Sequence, residues 1–570
     1  MPEPQWDAVI VGSGFGGSVL AYRLAEAGLR VCVLERGRDY PPNSFARSPI
    51  EMRNNFWDPS KGLYGLYNIW SFKGSAACVT SGLGGGSLIY ANVLIRKDKE
   101  WFDSWPITYA DLEPHYERVE KMMNVQQYPL DFEPYNHTRK TNEIRQAASD
   151  VGRAPIAVNL AVSFRRFPVS DPEHPDDVIN PPVIGEPICE SHPNLHGRTR
   201  YTCRLCGECD IGCNYGSKNT LDFTYLSEAV RLGAKIRTLS EVVTFVQRKN
   251  GEGYDVTFRQ HDPDDTTGNP ASKAACEMET ISCRRLILAA GTMGTTFLLL
   301  KNKFNFPYIS PALGTRYSTN GDDLGFFTHA KRELEPDRGP VITTAIRYPD
   351  AHDGSGFYLE DGGNPYLASW MVELSGVPGV VRRLIRFAWI RVLYWLGFSR
   401  TTNMDYHFAQ LIGRCKKSSR AMPVLVMGRD NPSGNFSLRD GILDNDWTWK
   451  DSKGYYDRVT RELKALAKAM GAKYEDNPVF RWGFKDVLTA HPLGGCPMGR
   501  NPDVGVVDSR GEVFEYPGLY IADGSVMPGP VGPNPSLTIA AFADRVADNI
   551  IEQRATEQER SWNRELRLPK

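Results

Sequence analysis

The chain has 570 residues, room for about four folding units at roughly 150 residues each. Hydrophobic residues make up 41% and charged residues 24%, the mix of an ordinary globular protein, which excludes a disordered or fibrous chain. Lys and Arg total 67 against 68 Asp and Glu, a formal charge of -1, so the basic footprint of a nucleic-acid binder is missing.

Met1 to Asp7 carries neither the cationic start nor the apolar stretch of a secretory signal, so a cytoplasmic protein is expected. In that reducing setting eleven cysteines favour metal or redox chemistry over structural disulfides. Asp7-Ala8-Val9-Ile10-Val11 predicts a buried strand. Gly12-Ser13-Gly14-Phe15-Gly16-Gly17 follows and opens a helix whose apolar residues Val19, Leu20, Leu24 and Ala27 run to a Gly28 stop. Val31-Cys32-Val33-Leu34 predicts the next strand, closed by Glu35. In this strand–turn–helix context Gly12 allows the tight turn, Gly14 lets a pyrophosphate approach the backbone, and Gly17 lets helix and strand pack. The helix start offers free N–H groups to phosphate, and Glu35 is placed to accept from a ribose. This pattern alone does not separate FAD from NAD.

Gly82-Leu83-Gly84-Gly85-Gly86-Ser87 is too glycine-dense for helix or strand and suits close approach of a cofactor. Residues 101–200 are aromatic-rich, with seven prolines between Pro168 and Pro193, and read as irregular surface structure. Arg285 to Gly291 predicts another buried parallel strand, entering a helix over Thr295–Leu300. Residues 378–400 hold five arginines and no acid beside Trp389, Tyr394 and Trp395. That run is too short and charged to span a bilayer; it reads either as a core helix or as a helix lying in a membrane interface. Near the C-terminus, Asn534 is the expected N-cap and Pro535 the first residue of an apolar-faced helix through Leu537, Ile539, Phe542, Val546 and Ile550. The basic tail after 553 is expected to be mobile.

Cys203, Cys206, Cys209 and Cys213 are spaced C-x2-C-x2-C-x3-C, as in bacterial ferredoxin loops, with Asn214 where proline is usual and no second run. An iron–sulfur cluster, a zinc ion, and free or paired thiols all remain open.

Together, the first glycine motif, Gly84-Gly85-Gly86-Ser87-Leu88, Ala289-Ala290-Gly291-Thr292, His491-Pro492-Leu493-Gly494-Gly495, Asp523-Gly524-Ser525 and Asn534-Pro535 resemble the glucose–methanol–choline family of FAD oxidoreductases, in that family's order. Within it the phrases are similar to those of the bacterial sterol (cholesterol) oxidases. The resemblance implies an α/β fold, a Rossmann-like FAD domain with a discontinuous α+β substrate domain. It partitions the chain into an FAD domain at 1–100, 201–305 and 481–555, a substrate-side insertion at 101–200, a substrate domain at 306–480 and a tail at 556–570. It implies FAD held by Gly12, Gly14, Gly17, Glu35, Gly85, Gly86, Ser87, Asn92, Val243, Ala290, Gly291, Asp523, Gly524 and Pro535. Cys203, Cys209 and Cys213 further resemble the cluster loop of some bacterial flavin glucose dehydrogenases.

An alcohol gives up hydride only as its hydroxyl proton is taken, so a base is needed, and His491 in its glycine–proline turn is the candidate. Asn534 matches the family position that contacts the substrate oxygen, a role in competition with capping. Sterol oxidases carry a glutamate shortly before the strand that here reads Val424-Leu425-Val426, but Cys415 to Arg420 holds no acid. Glu360 and Glu373 are the alternatives. The expected activity is oxidation of a hydrophobic, sterol-like or long-chain alcohol, with oxygen or a redox protein as acceptor and membrane contact through 378–400. Two other readings keep the same motifs: a flavin and iron–sulfur dehydrogenase of sugars or small alcohols, or an electron carrier without alcohol chemistry.

Overall fold

A computed structural model describes residues 4–249, 251–263, 278–352, 355–365, 418–476 and 487–565, with positions 385, 388, 389 and 392. The first half supplies β1 (Trp6–Val11), α1 (Phe15–Glu26), β2 (Val31–Leu34), α2 (Tyr109–Met122), α3 (Arg139–Asp150), β3 (Pro155–Ala157), β4 (Lys235–Arg237), β5 (Ser240–Gln247), β6 (Tyr254–Gln260), β7 (Met278–Leu288) and α4 (Gly291–Lys301). The second adds β8 (Asp323–Thr328), β9 (Thr344–Tyr348), β10 (Phe357–Asp361), β11 (Met422–Gly428), α5 (Lys453–Ala469), β12 (Lys473–Asp476), β13 (Leu519–Ile521) and α6 (Ser536–Glu565).

One sheet has the order β4-β2-β1-β7-β6-β5, with β13 beside the end of β7. Strands β4, β2, β1, β7 and β13 run parallel, while β5 and β6 form an antiparallel arm. Ala8–Val11, Val31–Leu34 and Leu286–Leu288 are buried throughout, which is why they read as unbroken apolar runs and not as alternation. Helices α1, α2 and α6 pack together into the core of this sheet.

The other large sheet is antiparallel, in the order β12-β8-β11-β10-β9-β3. Phe357 and Leu359 of β10 pack with Ile144 of α3 and Val459 and Leu463 of α5. Tyr358, between them, joins Met427 and Val93 in a different cluster. Side chains alternate along a strand, so Glu360 shares the face of Tyr358, turned away from the helices. Asp361 points back and pairs with Lys140 of α3, both fully buried.

Several sequence expectations change. Residues 101–200 hold α2 and α3 before the irregular stretch begins. Pro114 lies inside α2 and masks a helix that Thr108 and Asp111 start with a reciprocal capping box. At the far end, α6 begins at Ser536, and the Pro535 carbonyl accepts from Ile539 N at 2.9 Å. Pro535 therefore stands at the cap position, and Asn534 lies outside the helix. The helix continues to Glu565, through most of the segment expected to be a mobile tail. Of residues 378–400 only Ile385, Ala388, Trp389 and Val392 are described; they are helical and exposed, and the rest of that segment, like Glu373, lies outside the described residues. Among the described residues no helix is long and apolar enough to cross a membrane.

Candidate active site

Strand β1 ends at Gly12 with φ 97°, where a Cβ would stand 2.4 Å from the Ala289 carbonyl oxygen at the end of β7. Gly16, not singled out by the motif, is tighter still: its Cβ would fall 1.5 Å from the Ala522 oxygen, and that of Gly17 2.0 Å from the Gly12 oxygen. These three let α1 sit directly on the sheet. Gly14 differs, since a Cβ there meets nothing within 4 Å. It caps α1 without a side chain, so no capping side chain claims the first-turn N–H groups, the geometry that receives a phosphate. Gly86 is open in the same way, and Gly85 backs onto Gly14.

Glu35 is buried and braces this cradle. One oxygen accepts from Ser13 N and Ser13 Oγ at 3.0 and 2.7 Å, the other from Gly37 N at 2.8 Å. Ser87 is also committed inward, donating to Gly84 O and accepting from Leu221 N. Asn92, fully buried at φ 71°, leaves both amide atoms without a protein partner. Such orphaned polar atoms call for a ligand. Open space at Gly14 and Gly86 and the unpaired Asn92 amide fit a flavin nucleotide. At the end of β7 and β13, Asp523 accepts from Gly291 N and Thr295 Oγ1 on one oxygen and from Ser525 on the other, fixing the Ala290–Gly291 and Gly524 turns. Burial raises its carboxyl above the usual range. Val243 sits at the bulge of β5, between Val242 and Thr244.

The other end of the site comes from three segments. His491 follows the strand Val487–Thr489, which pairs in parallel with Ser75–Thr80. Its Nδ1 lies 2.8 Å from Asp322 Oδ1, and its side chain is 17% exposed, so one edge of the ring stays accessible. Asn534 is buried; its Nδ2 donates to Glu360 Oε2 at 3.4 Å, while its Oδ1 and Glu360 Oε1 have no protein partner. The competition between capping and catalysis thus resolves away from capping. Burial, opposed by the Asn534 hydrogen bond and reinforced by Asp361 and Asp322, pushes the Glu360 carboxyl up to about 8. Of the two acids the sequence offered, Glu360 lies on the strand beside Val424, paired in register to Leu425.

One loop braces both ends of this constellation. Asn320 accepts from Gly532 N at 2.9 Å and donates to Pro533 O at 3.1 Å, just before Asn534, while Asp322 of the same loop holds His491. Asp430 locks the loop from behind through Ser318 and Thr319, its own carboxyl pushed by burial to about 7. Asn320 and Asp322 were not anticipated; the only signal was the polar run Ser318-Thr319-Asn320-Gly321-Asp322 ahead of an apolar strand.

Cys203, Cys206, Cys209 and Cys213 are free thiols and line one small cavity with Tyr215 and Lys218. Lys218 Nζ donates to Cys209 O, Leu88 O and Tyr90 O, joining this loop to the segment after the second glycine turn. Ligands of a single zinc ion stand about 3.8 Å apart, twice a 2.3 Å bond at the tetrahedral angle. Among the described residues the one group of three ligand atoms within 4.8 Å is His115, Asp544 and Asp548, which Arg23 and Arg118 neutralise. No three of the four sulfurs lie within 4.8 Å of one another.

Comparison with known proteins adds to this geometry. A family model described as GMC oxidoreductase matches residues 447–543, and one described as an NAD(P)-binding Rossmann-like domain matches 10–44. A cholesterol oxidase of Mycobacterium tuberculosis is 31% identical over 565 residues, covering 96% of this chain and 91% of the relative. A cholesterol oxidase of Acinetobacter baumannii is 29% identical, covering 97% and 96%. A long-chain-alcohol oxidase of Arabidopsis thaliana is 24% identical, covering 96% and 67%. Among solved structures, pyridoxine 4-oxidase from Mesorbium loti superposes with a TM-score of 0.57 at 15% identity, covering 96% of this chain and 99% of that one, a likeness of fold.

Proposed function

Since the chain belongs to the GMC oxidoreductase family, as an FAD-dependent enzyme acting on CH–OH donors, we propose that it oxidises a hydrophobic, sterol-like or long-chain alcohol with His491 as the base. The observation that carries this reading is the convergence of His491 and the Asn534–Glu360 pair on one braced loop, each with an unused polar atom. FAD, held by the two glycine turns, supplies the two-electron acceptor for hydride. His491 Nε2 takes the hydroxyl proton, and Asn534 Oδ1 orients the hydroxyl beforehand. Glu360, still protonated at neutral pH, adds an O–H donor to the same space. Leu425, Met427 and Tyr358 share its face of the sheet and offer apolar contact, in keeping with relatives named for cholesterol and long-chain alcohols.

Anaerobic mixing with sterols, long-chain alcohols and sugars, followed by flavin absorbance, tests the reading. Bleaching by the first two classes is expected, and His491→Gln should slow it by about 100-fold or more with FAD retained. Bleaching by sugars alone overturns the substrate class, and no bleaching by any alcohol favours an electron carrier.

A second reading concerns where the electrons go. The four thiols gathered round one cavity at ferredoxin spacing support an iron–sulfur cluster and hence a one-electron protein acceptor in place of oxygen. Iron with acid-labile sulfide in anaerobically purified protein would support it. Metal-free thiols, zinc, or a disulfide in the intact mass would refute it.

A further inference from the structure

Resting on the reading of His491 as the base, we infer that Asp322 is a positioning residue that fixes the tautomer of His491 and keeps the Nε2 lone pair free for the substrate hydroxyl.

Asp322 lies just before β8 with its side chain 1% exposed. Its Oδ2 receives the Ala490 N–H at 2.9 Å and the Thr489 hydroxyl at 2.8 Å. A backbone amide can only donate, so Oδ2 is an acceptor. Taken as the carboxylate, Asp322 also accepts at its other oxygen, 2.8 Å from His491 Nδ1. Nδ1 therefore carries the hydrogen, and a neutral imidazole has only one to carry. Nε2 is left with its lone pair and makes no hydrogen bond among the described residues. Once Nε2 takes a proton, the imidazolium faces a buried carboxylate that stabilises it. The ring is aimed as well as protonated correctly, because His491 N donates to Thr489 Oγ1 at 2.8 Å and Thr489 Oγ1 also reaches Thr319 O. An acid that orients and neutralises an imidazole in this way serves hydrolytic triads, and nothing in the logic is confined to hydrolysis.

The inference makes a sharp demand on Asp322→Asn. Ala490 N still needs an acceptor, so the new amide must turn its oxygen toward it. Its NH2 group then faces His491 Nδ1, which has to accept. The hydrogen moves to Nε2, and the base is blocked without any change of shape.

The test uses the FAD-bound enzyme. Flavin reduction by the alcohol that bleaches wild type should fall about 10²- to 10⁴-fold in Asp322→Asn, with KM changed little and flavin content retained. In protein labelled with 15N-histidine, the His491 signal, identified by its loss in His491→Gln, should report Nδ1–H in wild type and Nε2–H in the variant. A wild-type rate in Asp322→Asn overturns the inference, as does a slow variant whose tautomer is unchanged. An Nε2–H tautomer in wild type overturns it even where the variant fails to fold. A His491→Gln enzyme as fast as wild type sinks the base itself, which is a different result from a slow His491→Gln beside a fast Asp322→Asn.

Discussion

Glu360 should contribute stability that is lost as pH rises, and Glu360→Gln should reveal it. The unfolded chain releases this proton near 4.5 and the folded chain at about 8, chiefly because burial penalises the charged carboxylate. Between those values unfolding releases a proton, so each pH unit favours the unfolded state by about 1.4 kcal/mol. The stabilisation is fully present below 4.5, is lost progressively, and is gone above about 8. From pH 5 to pH 8 the loss amounts to roughly 3–4 kcal/mol. At about 2.1 cal/mol/K per residue, 570 residues unfold with roughly 1.2 kcal/mol/K, so the loss corresponds to about 3 °C in melting temperature. Glutamine keeps the shape and has no proton to lose. Melting the FAD-bound wild type and variant at pH 5, 6, 7 and 8 and one scan rate should show the variant gaining about 3 °C on wild type across the range. Any fixed cost of the substitution cancels in that difference. A gap that stays constant with pH would refute the argument, because it would mean that Glu360 is already charged in the folded protein or reaches water.

The two kinds of glycine separate folding from cofactor binding. Gly16→Ala should abolish soluble protein, since its Cβ collides with the Ala522 carbonyl, whereas Gly14→Ala should fold and bind FAD at least tenfold more weakly by flavin titration. Equal FAD affinity in Gly14→Ala would move the phosphates elsewhere. Asn534→Ala should spare helix α6, costing less than the ~1 kcal/mol of a lost N-cap, while slowing flavin reduction about 100-fold; a large drop in melting temperature with normal turnover would restore the capping role. Ile385, Trp389 and Val392, exposed at i, i+4 and i+7, form an apolar stripe in a stretch whose sequence holds five arginines, and Trp389→Ser should weaken co-sedimentation with anionic liposomes at low salt. Unchanged binding would remove that segment from any membrane contact.

Where the physics is local, the sequence was readable. The β1–α1–β2 unit, the strand into α4 and the glycine turns depend on neighbours within a few residues, and each lies where its pattern placed it. Helix α2 was missed because Pro114 argues against a helix that its capping box and packing sustain. Asn534 was misread as a cap because a lone Asn-Pro pair carries that signature whatever the side chain does, and what it does depends on Glu360, 174 residues away. Glu360 itself was one of two acids that fitted; only the alternation of β10 against the α3–α5 layer turns it toward the site. Asp322 is 169 residues from the histidine it holds, and no spacing rule links such positions.

The brace at 318–322 makes His491 and Asn534, the side chains proposed to react, passengers of the antiparallel sheet, although both belong to segments that run alongside the nucleotide fold. Because Asn320 and Asp322 lead straight into β8, a tilt of that sheet would carry His491 and Asn534 together, like the two jaws of a caliper fixed to one beam. Their spacing would survive while their distance from the glycine turns changed. On the proposed reading, side chains lining the sheet face could then be exchanged to suit a different alcohol without retuning the pair that would handle its hydroxyl, a freedom that follows from where the loop is anchored.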